Sequence, residues 1–402
     1  MAKVITTELQ HSGASGANIT LDSSKNVTCE NNLQVDGNVT VTGTLPAAQL
    51  TGTLPAISGA SLTGISSPLS FRNLVINGAM QIAQYGTSTT TNNTFCLDRW
   101  KCQFSGTDEA QTFTQHALTS SDTGPWAKGF RHSLHIQNGN QTSGAGASDH
   151  TQIRYIVEAQ DIANSGWDYT SASSYITLSF WIKSSVAQDF PVGLQTSDGT
   201  EYTYAFKTGS LSADTWTKVT KTIPGNSNLT VNSDNGIGLL LYFNPFKGTT
   251  WTGSVTEDTW YVTSGNDAAD DMTSTWWTTN DSTYELTGVQ LEVGDTATEF
   301  EHRSYGDELA RCQRYYFRDL DTDGTTDLSP GVYACTYQNN HKIAMIWLPV
   351  QMRATPTMTA VWVNGTYSVA KSSNTRMEGY FSSDNDSVSP IHSTSIKCEA
   401  EL

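Results

Sequence analysis

The segment Tyr175-Ile176-Thr177-Leu178-Ser179-Phe180-Trp181-Ile182-Lys183 constrains the fold more than any other stretch of the chain. Ile176, Leu178, Phe180 and Ile182 alternate with Thr177, Ser179 and Lys183. A β-strand, whose side chains switch face at every residue, puts those four apolar groups on one side. One apolar face must be covered by a second layer, so the chain needs sheet packed on sheet. Residues 216–223 read as another strand, ended by Pro224-Gly225. Residues 237–243 are apolar on both faces and read as a central strand. Along residues 284–293 the apolar parity flips at Gly288. A bulge there keeps Tyr284, Leu286, Val289 and Leu291 on one face. From Phe71 to about Arg303 such strands are separated by Gly, Asn, Asp and Ser clusters, which predicts an all-β jelly-roll sandwich over residues 68–303.

Composition supports this class. Hydrophobic residues make up 37% and charged residues 15%, a balance suited to short strands and many turns rather than helical bundles. The best helix opens at Ser304, with Asp307 three residues on as a capping partner and Leu309, Cys312 and Tyr316 as its buried stripe. Beyond it, strands at 332–337, 342–350, 358–363 and 396–399 predict a small second β-domain, so residues 304–402 read as helix plus sandwich.

The N-terminal part is different. Residues 1–30 are polar without a strong period. Leu33–Gly43 alternates around Asp36-Gly37, a hairpin signal. The hexapeptide Thr-Gly-Thr-Leu-Pro-Ala then occurs at 42–47 and again at 51–56. Leu45, Leu50, Leu54, Ile57, Leu62 and Ile65 supply too few apolar groups to close a core within one chain. Identical chains wound on one axis can pool them, which predicts an intertwined, trimeric β-stalk over residues 31–67. The alternative is a flexible linker, against which the regularly placed apolar residues count.

The formal net charge of −17 opposes binding to phosphate backbones and adsorption to anionic membranes. It is compatible with attracting divalent cations. The N-terminus lacks the apolar core of a signal peptide, which predicts synthesis in a cytoplasm. Accordingly Cys29, Cys96, Cys102, Cys312, Cys335 and Cys398 read as reduced, mostly buried thiols.

Two motifs carry a resemblance. Arg72-Asn73-Leu74-Val75-Ile76-Asn77-Gly78-Ala79-Met80-Gln81-Ile82-Ala83-Gln84-Tyr85-Gly86, followed by Leu97-Asp98-Arg99-Trp100, resembles the opening of receptor-binding jelly rolls in phage tail fibres. Residues 287–294 and 300–316 (Phe-Glu-His-Arg-Ser-Tyr-Gly-Asp-Glu-Leu-Ala-Arg-Cys-Gln-Arg-Tyr-Tyr) are similar to the close of that module. Residues 179–183 and 215–218 are similar to strands of carbohydrate-binding modules, and Met352–Thr357 resembles the C-terminal parts of such fibres. The stalk repeats resemble those of cyanophage and other marine-phage fibres. The resemblance spans about residues 33–360. It implies a homotrimeric virion appendage that recognises host surface polysaccharide; with no catalytic motif in the sequence, a non-enzymatic adhesin is the first reading. Residues 1–30 would then attach to virion proteins. A structural virion component (head fibre, decoration or tail adaptor) is the second reading, and a tailspike depolymerase the third.

Sugar rings stack on exposed aromatic faces flanked by amides and carboxylates. Turn-rich segments offer Trp126, Trp251, Trp260, Trp276, Trp277 and Tyr202. Adjacent strand residues face opposite ways, so the Trp276-Trp277 pair is expected to bring at least one ring outward, near Asp270, Asp271 and Asn280. Trp100, Trp181, Trp216 and Trp347 are expected in the core. Asp319, Asp321, Asp323 and Asp327, with Gly324 between them, have the spacing of a Ca²⁺ loop. Pro330 stands where that loop needs a bidentate Glu, and a polar hairpin turn is the competing reading. His132 and His135 lie in a strand-like alternation, on opposite faces, and do not make a joint metal site. Cys96 and Cys102 lack zinc-site spacing. No Gly-x-Ser-x-Gly, Walker or His-Glu-x-x-His motif is present.

Overall fold

The computed structural model describes residues 72–253, 255–263, 269–320, 332–337, 341–362, 366–382 and 393–402, together with three short N-terminal strands. The chain divides into two compact units, residues 1–65 and 66–402. In the first, β1 (Glu8–Leu9), β2 (Ile19–Leu21) and β3 (Val27–Cys29) form an antiparallel sheet in that order. The hairpin at 33–43 and the hexapeptide repeats lie outside the described residues.

The second unit is built on a β-sandwich. Its strands in chain order are β4 (Ser88–Thr89), β5 (Thr94–Leu97), β6 (Trp100–Ser105), β7 (Thr112–Ala117), β8 (His132–Gln137), β9 (His150–Glu158) and β10 (Tyr175–Ser184). They continue with β11 (Pro191–Thr196), β12 (Tyr202–Lys207), β13 (Thr217–Pro224), β14 (Ile237–Lys247), β15 (Trp260–Val262) and β16 (Thr283–Val293). One sheet has six strands in the order β13-β10-β16-β8-β7-β4; the other has seven, β15-β12-β11-β14-β9-β6-β5. The architecture is the all-β sandwich expected from the alternation. Ile176, Leu178, Phe180 and Ile182 are all fully buried, and Phe180 meets Phe243 of the facing sheet edge-on at 5.1 Å. Each such side chain contributes about 1.5–3 kcal/mol through burial. β14 is central, flanked by β11 and β9.

The bulge forms where parity required it. Ser179 pairs with Gln290 and Trp181 with Thr287, so Gly288 and Val289 together oppose Phe180. Gly288 has φ of 63°, a left-handed conformation that glycine takes without a Cβ clash. Tyr284, Leu286, Val289 and Leu291 consequently all point into the core, each fully buried.

The two family-like motifs interlock. Asn73 donates its side-chain amide to the Val289 carbonyl (3.1 Å) and accepts from the Leu291 amide (3.0 Å). Glu301 accepts from the Asn73 backbone amide (2.8 Å), Glu308 accepts from that of Asn77, and Arg303 donates to the Asn73 and Val75 carbonyls. Asn77 takes φ of 58° and bridges to the Ile82 and Asp98 carbonyls, while its own carbonyl accepts from the Trp100 indole at 3.0 Å. These polar residues hold the start of the module against its end.

After the sandwich, α3 (Tyr305–Gln313) starts at Ser304, whose hydroxyl accepts from the Asp307 amide at 3.2 Å. Before it come α1 (Ala159–Ala163) and α2 (Thr275–Thr278). The C-terminal strands are β17 (Tyr316–Leu320), β18 (Val332–Tyr337), β19 (His341–Trp347), β20 (Thr357–Trp362), β21 (Thr366–Ser372), β22 (Arg376–Ser382) and β23 (Ser393–Glu399). They form a three-stranded sheet β17-β23-β20 and a four-stranded sheet β18-β19-β22-β21. Arg99 ties this region to the sandwich: it is 2% exposed, paired with Glu401, and its guanidinium lies 3.4 Å from the Tyr315 ring centroid.

Two expectations are corrected. Cys96 and Cys102 are not free thiols; they form a disulfide across the β5–β6 hairpin, with Cα atoms 6.1 Å apart. The register pairs Thr94 with Cys102 and Leu97 with Trp100, which brings the two sulfurs together on the core side. Cys312 and Cys398 are free and buried. Trp347, assigned to the core, is 48% exposed at the end of β19, with the Arg376 guanidinium 5.7 Å from its ring. Trp100 and Trp216 are buried as expected, and Trp181 is half-buried.

Candidate functional site

The inner faces of the two sheets are filled by the core. Strand alternation therefore assigns the other face of each sheet its own set of side chains. On β9, Ile153, Tyr155 and Val157 point inward, so His150, Gln152 and Arg154 point outward. Register sets neighbours beside them. Lys101 of β6 is opposite Arg154 and Gln103 is opposite Gln152. On the other side, Tyr242 of β14 is opposite Arg154 and Lys247 is opposite His150. Across β11, Gly193 is opposite Tyr242 and Gln195 is opposite Leu240. Amides, cations and one phenol thus form a continuous band over the seven-stranded sheet.

Small residues shape this band. Gly193 is opposite Ala205 of β12, so no side chain larger than a methyl group stands beside Tyr242 on that side. Tyr242 is half-buried, and burial pushes its pKa up to about 12, so the phenol is a neutral donor. Gln195 donates to Glu201 (2.8 Å), and Gln103 donates to Asn93 (2.7 Å). Lys247 is nearly buried; its ammonium donates to the Gln152 side-chain oxygen Oε1 (2.7 Å) and lies 5.4 Å from the Trp251 ring. Burial pulls the Lys247 pKa down to about 8. Trp251 stands at this end of the row, edge-on to His150 at 5.1 Å and anchored through its indole to the Ser148 carbonyl (2.9 Å).

Of the six aromatic residues expected to contact sugar, Trp251 alone joins this band. Trp276 and Trp277 are both fully buried, contrary to expectation. They sit on the short helix α2 rather than a strand, and neighbours in a helical turn are about 100° apart, so both rings turn into the core. Their indoles donate to the Thr283 carbonyl (3.0 Å) and the Gly144 carbonyl (2.8 Å). Trp260 packs edge-on to Tyr204 at 5.5 Å and donates to the Pro224 carbonyl, and Tyr202 packs on the same core. Trp126 lies beyond the six-stranded sheet under the Arg131 guanidinium, 3.8 Å from its ring. Asp319 is in β17, whereas Asp321, Asp323 and Asp327 lie outside the described residues.

His132 and His135 fall on opposite faces of β8, as the alternation predicted. His135 instead shares the outer face of the six-stranded sheet with His116 and Glu285, their ligand atoms all within 4.8 Å of one another. The Glu285 carboxylate is already engaged there by Lys183 (2.8 Å) and Ser133 (2.7 Å). A cleft of about 570 Å³ opens between α3 and Val350-Gln351. Two of its cations are committed: Arg303 pairs with Glu301 and Glu308, and Arg314 with Glu158.

No family model matches the sequence, and a search of curated proteins returns no match. Among solved structures, the chain is similar to the enzymatically active domain of bacteriophage CBA120 tailspike protein 4, with TM-score 0.30 and 11% identity over 55% of this chain and 21% of that one. It is also similar to a CBM4 module (TM-score 0.27, 12% identity, 54% of this chain and 98% of that one). A third is the N-terminal cellulose-binding domain of Cellulomonas fimi β-1,4-glucanase C (TM-score 0.26, 11% identity, 53% and 97%). The chain spans about a fifth of the tailspike chain it matches.

Proposed function

We propose that the protein is a non-enzymatic adhesin whose seven-stranded sheet binds surface polysaccharide along the band from Trp251 to Tyr242. The observation that carries this reading is the row His150–Gln152–Arg154, flanked by Tyr242 and walled by Trp251. A sugar needs an aromatic face for its C–H side and planar donors and acceptors for its hydroxyls. Amide, guanidinium and phenol groups at strand spacing offer those along an extended chain of rings. The resemblance of residues 72–100 and 287–316 to tail-fibre jelly rolls supports placing the adhesin on a phage virion, as a homotrimer attached through its N-terminal segment. Modest affinity per site would then be multiplied by repeated heads.

The test is affinity electrophoresis of the full chain in polysaccharide gels, with binding to cells before and after periodate oxidation. Retardation that falls about tenfold or more in Tyr242→Ala and Trp251→Ala, together with periodate-sensitive cell binding, is the expected result. A folded protein that binds no glycan, or binds equally well in both variants, would move the reading to a structural virion component.

A further inference from the structure

Seven of the twelve lysines and arginines between residues 72 and 303 have an acidic partner. Arg72 faces Glu292, Arg99 faces Glu401, Lys128 faces Glu299, Lys183 lies between Asp122 and Glu285, and Lys207 lies between Glu257 and Asp270. With 39 acidic against 22 basic residues, a partner is easy to find. Arg131 and Lys247 donate to neutral oxygens instead, and Lys218 is exposed; Lys101 and Arg154 differ from all of these. Neither makes an ion pair or side-chain hydrogen bond among the described residues, and the Arg154 Nε is buried without a partner.

They are also placed directly opposite each other on β6 and β9. Directly opposed strand residues have Cβ atoms about 4.5–5.5 Å apart, and like charges there are destabilising. Burial and the Arg154 charge both pull the Lys101 pKa down, and the opposing pull of Glu399 and Glu401 does not restore it. Two half-buried, mutually repelling cations in a chain of net charge −17 are a cost to the free protein. An anion seated between them removes that cost.

We propose that the glycan taken by this face is acidic, and that Lys101 and Arg154 together bind its carboxylate or sulfate groups beside Tyr242. This rests on the glycan-binding reading above. The guanidinium fork suits a planar carboxylate or a sulfate edge, and the ammonium adds a point charge.

Titration of the full-length protein with sodium polygalacturonate, κ-carrageenan and the carboxyl-reduced or desulfated form of each tests it. Duplex DNA serves as a polyanion control. One or both acidic polymers are expected to bind at least tenfold tighter than their neutralised forms, more weakly as salt rises; the polymer preferred identifies carboxylate or sulfate. Lys101→Met and Arg154→Met are expected to lose about tenfold for the acidic polymer, while Lys101→Met keeps or raises the melting temperature. Equal binding of charged and neutralised polymers, with Lys101→Met without effect, overturns the proposal and leaves glycan binding standing. DNA bound as tightly as the acidic polymers overturns it as generic polyanion attraction. A folded protein that binds none of the polymers removes the glycan reading and this inference with it.

Discussion

The Arg99 guanidinium lies flat against Tyr315, 3.4 Å from the ring centroid, while pairing with Glu401 and donating to the Ile156 carbonyl. This buried cation ties the LDRW motif of the sandwich to the helix-end tyrosine and the final strand region. Removing it strands the Glu401 carboxylate, which burial already pushes toward its protonated form. Arg99→Ala is expected to cost about 3–5 kcal/mol in urea unfolding. Arg99→Met with Glu401→Gln, which leaves no orphan charge, should recover a large part of that loss.

Lys247 gives a signed pH dependence. Its pKa is about 8 when folded and about 10.4 when unfolded. Between these values the unfolded chain holds the extra proton, so stability rises with pH. Below pH 8 the full cost of burying the charge is present. Denaturant unfolding between pH 7.5 and 9.5 should show this rise in the native protein and not in Lys247→Met, which should also be the more stable of the two at pH 7. A parallel slope in both proteins would place the titration elsewhere.

Trp251 and Trp277 separate binding from packing. Trp277 lies tilted against Phe246, ring centroids 5.0 Å apart, in the core, and its truncation to Ala should cost about 3–5 kcal/mol. Trp251 covers Lys247 from the solvent side, and Trp251→Ala should cost less than about 1.5 kcal/mol while weakening glycan retardation. Melting curves and affinity gels on the same two variants check both halves.

The disulfide is checked by mass spectrometry. Digestion of denatured, unreduced protein with iodoacetamide present should leave the fragments carrying Cys96 and Cys102 joined, with Cys312 and Cys398 alkylated. Alkylation of Cys96 and Cys102 under the same conditions would show two thiols.

Strand content was legible because the strands show alternating apolar residues or, in β14, apolar residues on both faces, and the Gly288 bulge because parity broke at a glycine. The cap at Ser304 was legible from spacing alone. Trp276-Trp277 misled because a pair of adjacent tryptophans has no period, and a four-residue helix leaves too short a trace to set against a strand. The candidate band was hidden for another reason. Lys101, Arg154, Tyr242 and Gly193 come from four separate strands, and register alone puts them side by side. The nearest signal was His150, Gln152 and Arg154 alternating with Thr151, Ile153 and Tyr155, a polar outer row on a strand whose other face is core. The disulfide was missed because a spacing of six looks irregular until a hairpin folds it back on itself.

The interlock of Asn73 and Asn77 with Glu301, Arg303 and Glu308 has a mechanical consequence. The chain enters and leaves the sandwich at one knot of hydrogen bonds. Tension applied between residues 72 and 303 is carried across that knot and does not unzip the strands between them. The sheet that carries Tyr242 and Arg154 therefore keeps its shape when the two ends of the sandwich are pulled apart, as a hook fixed by a clasp keeps its curve when the line goes taut.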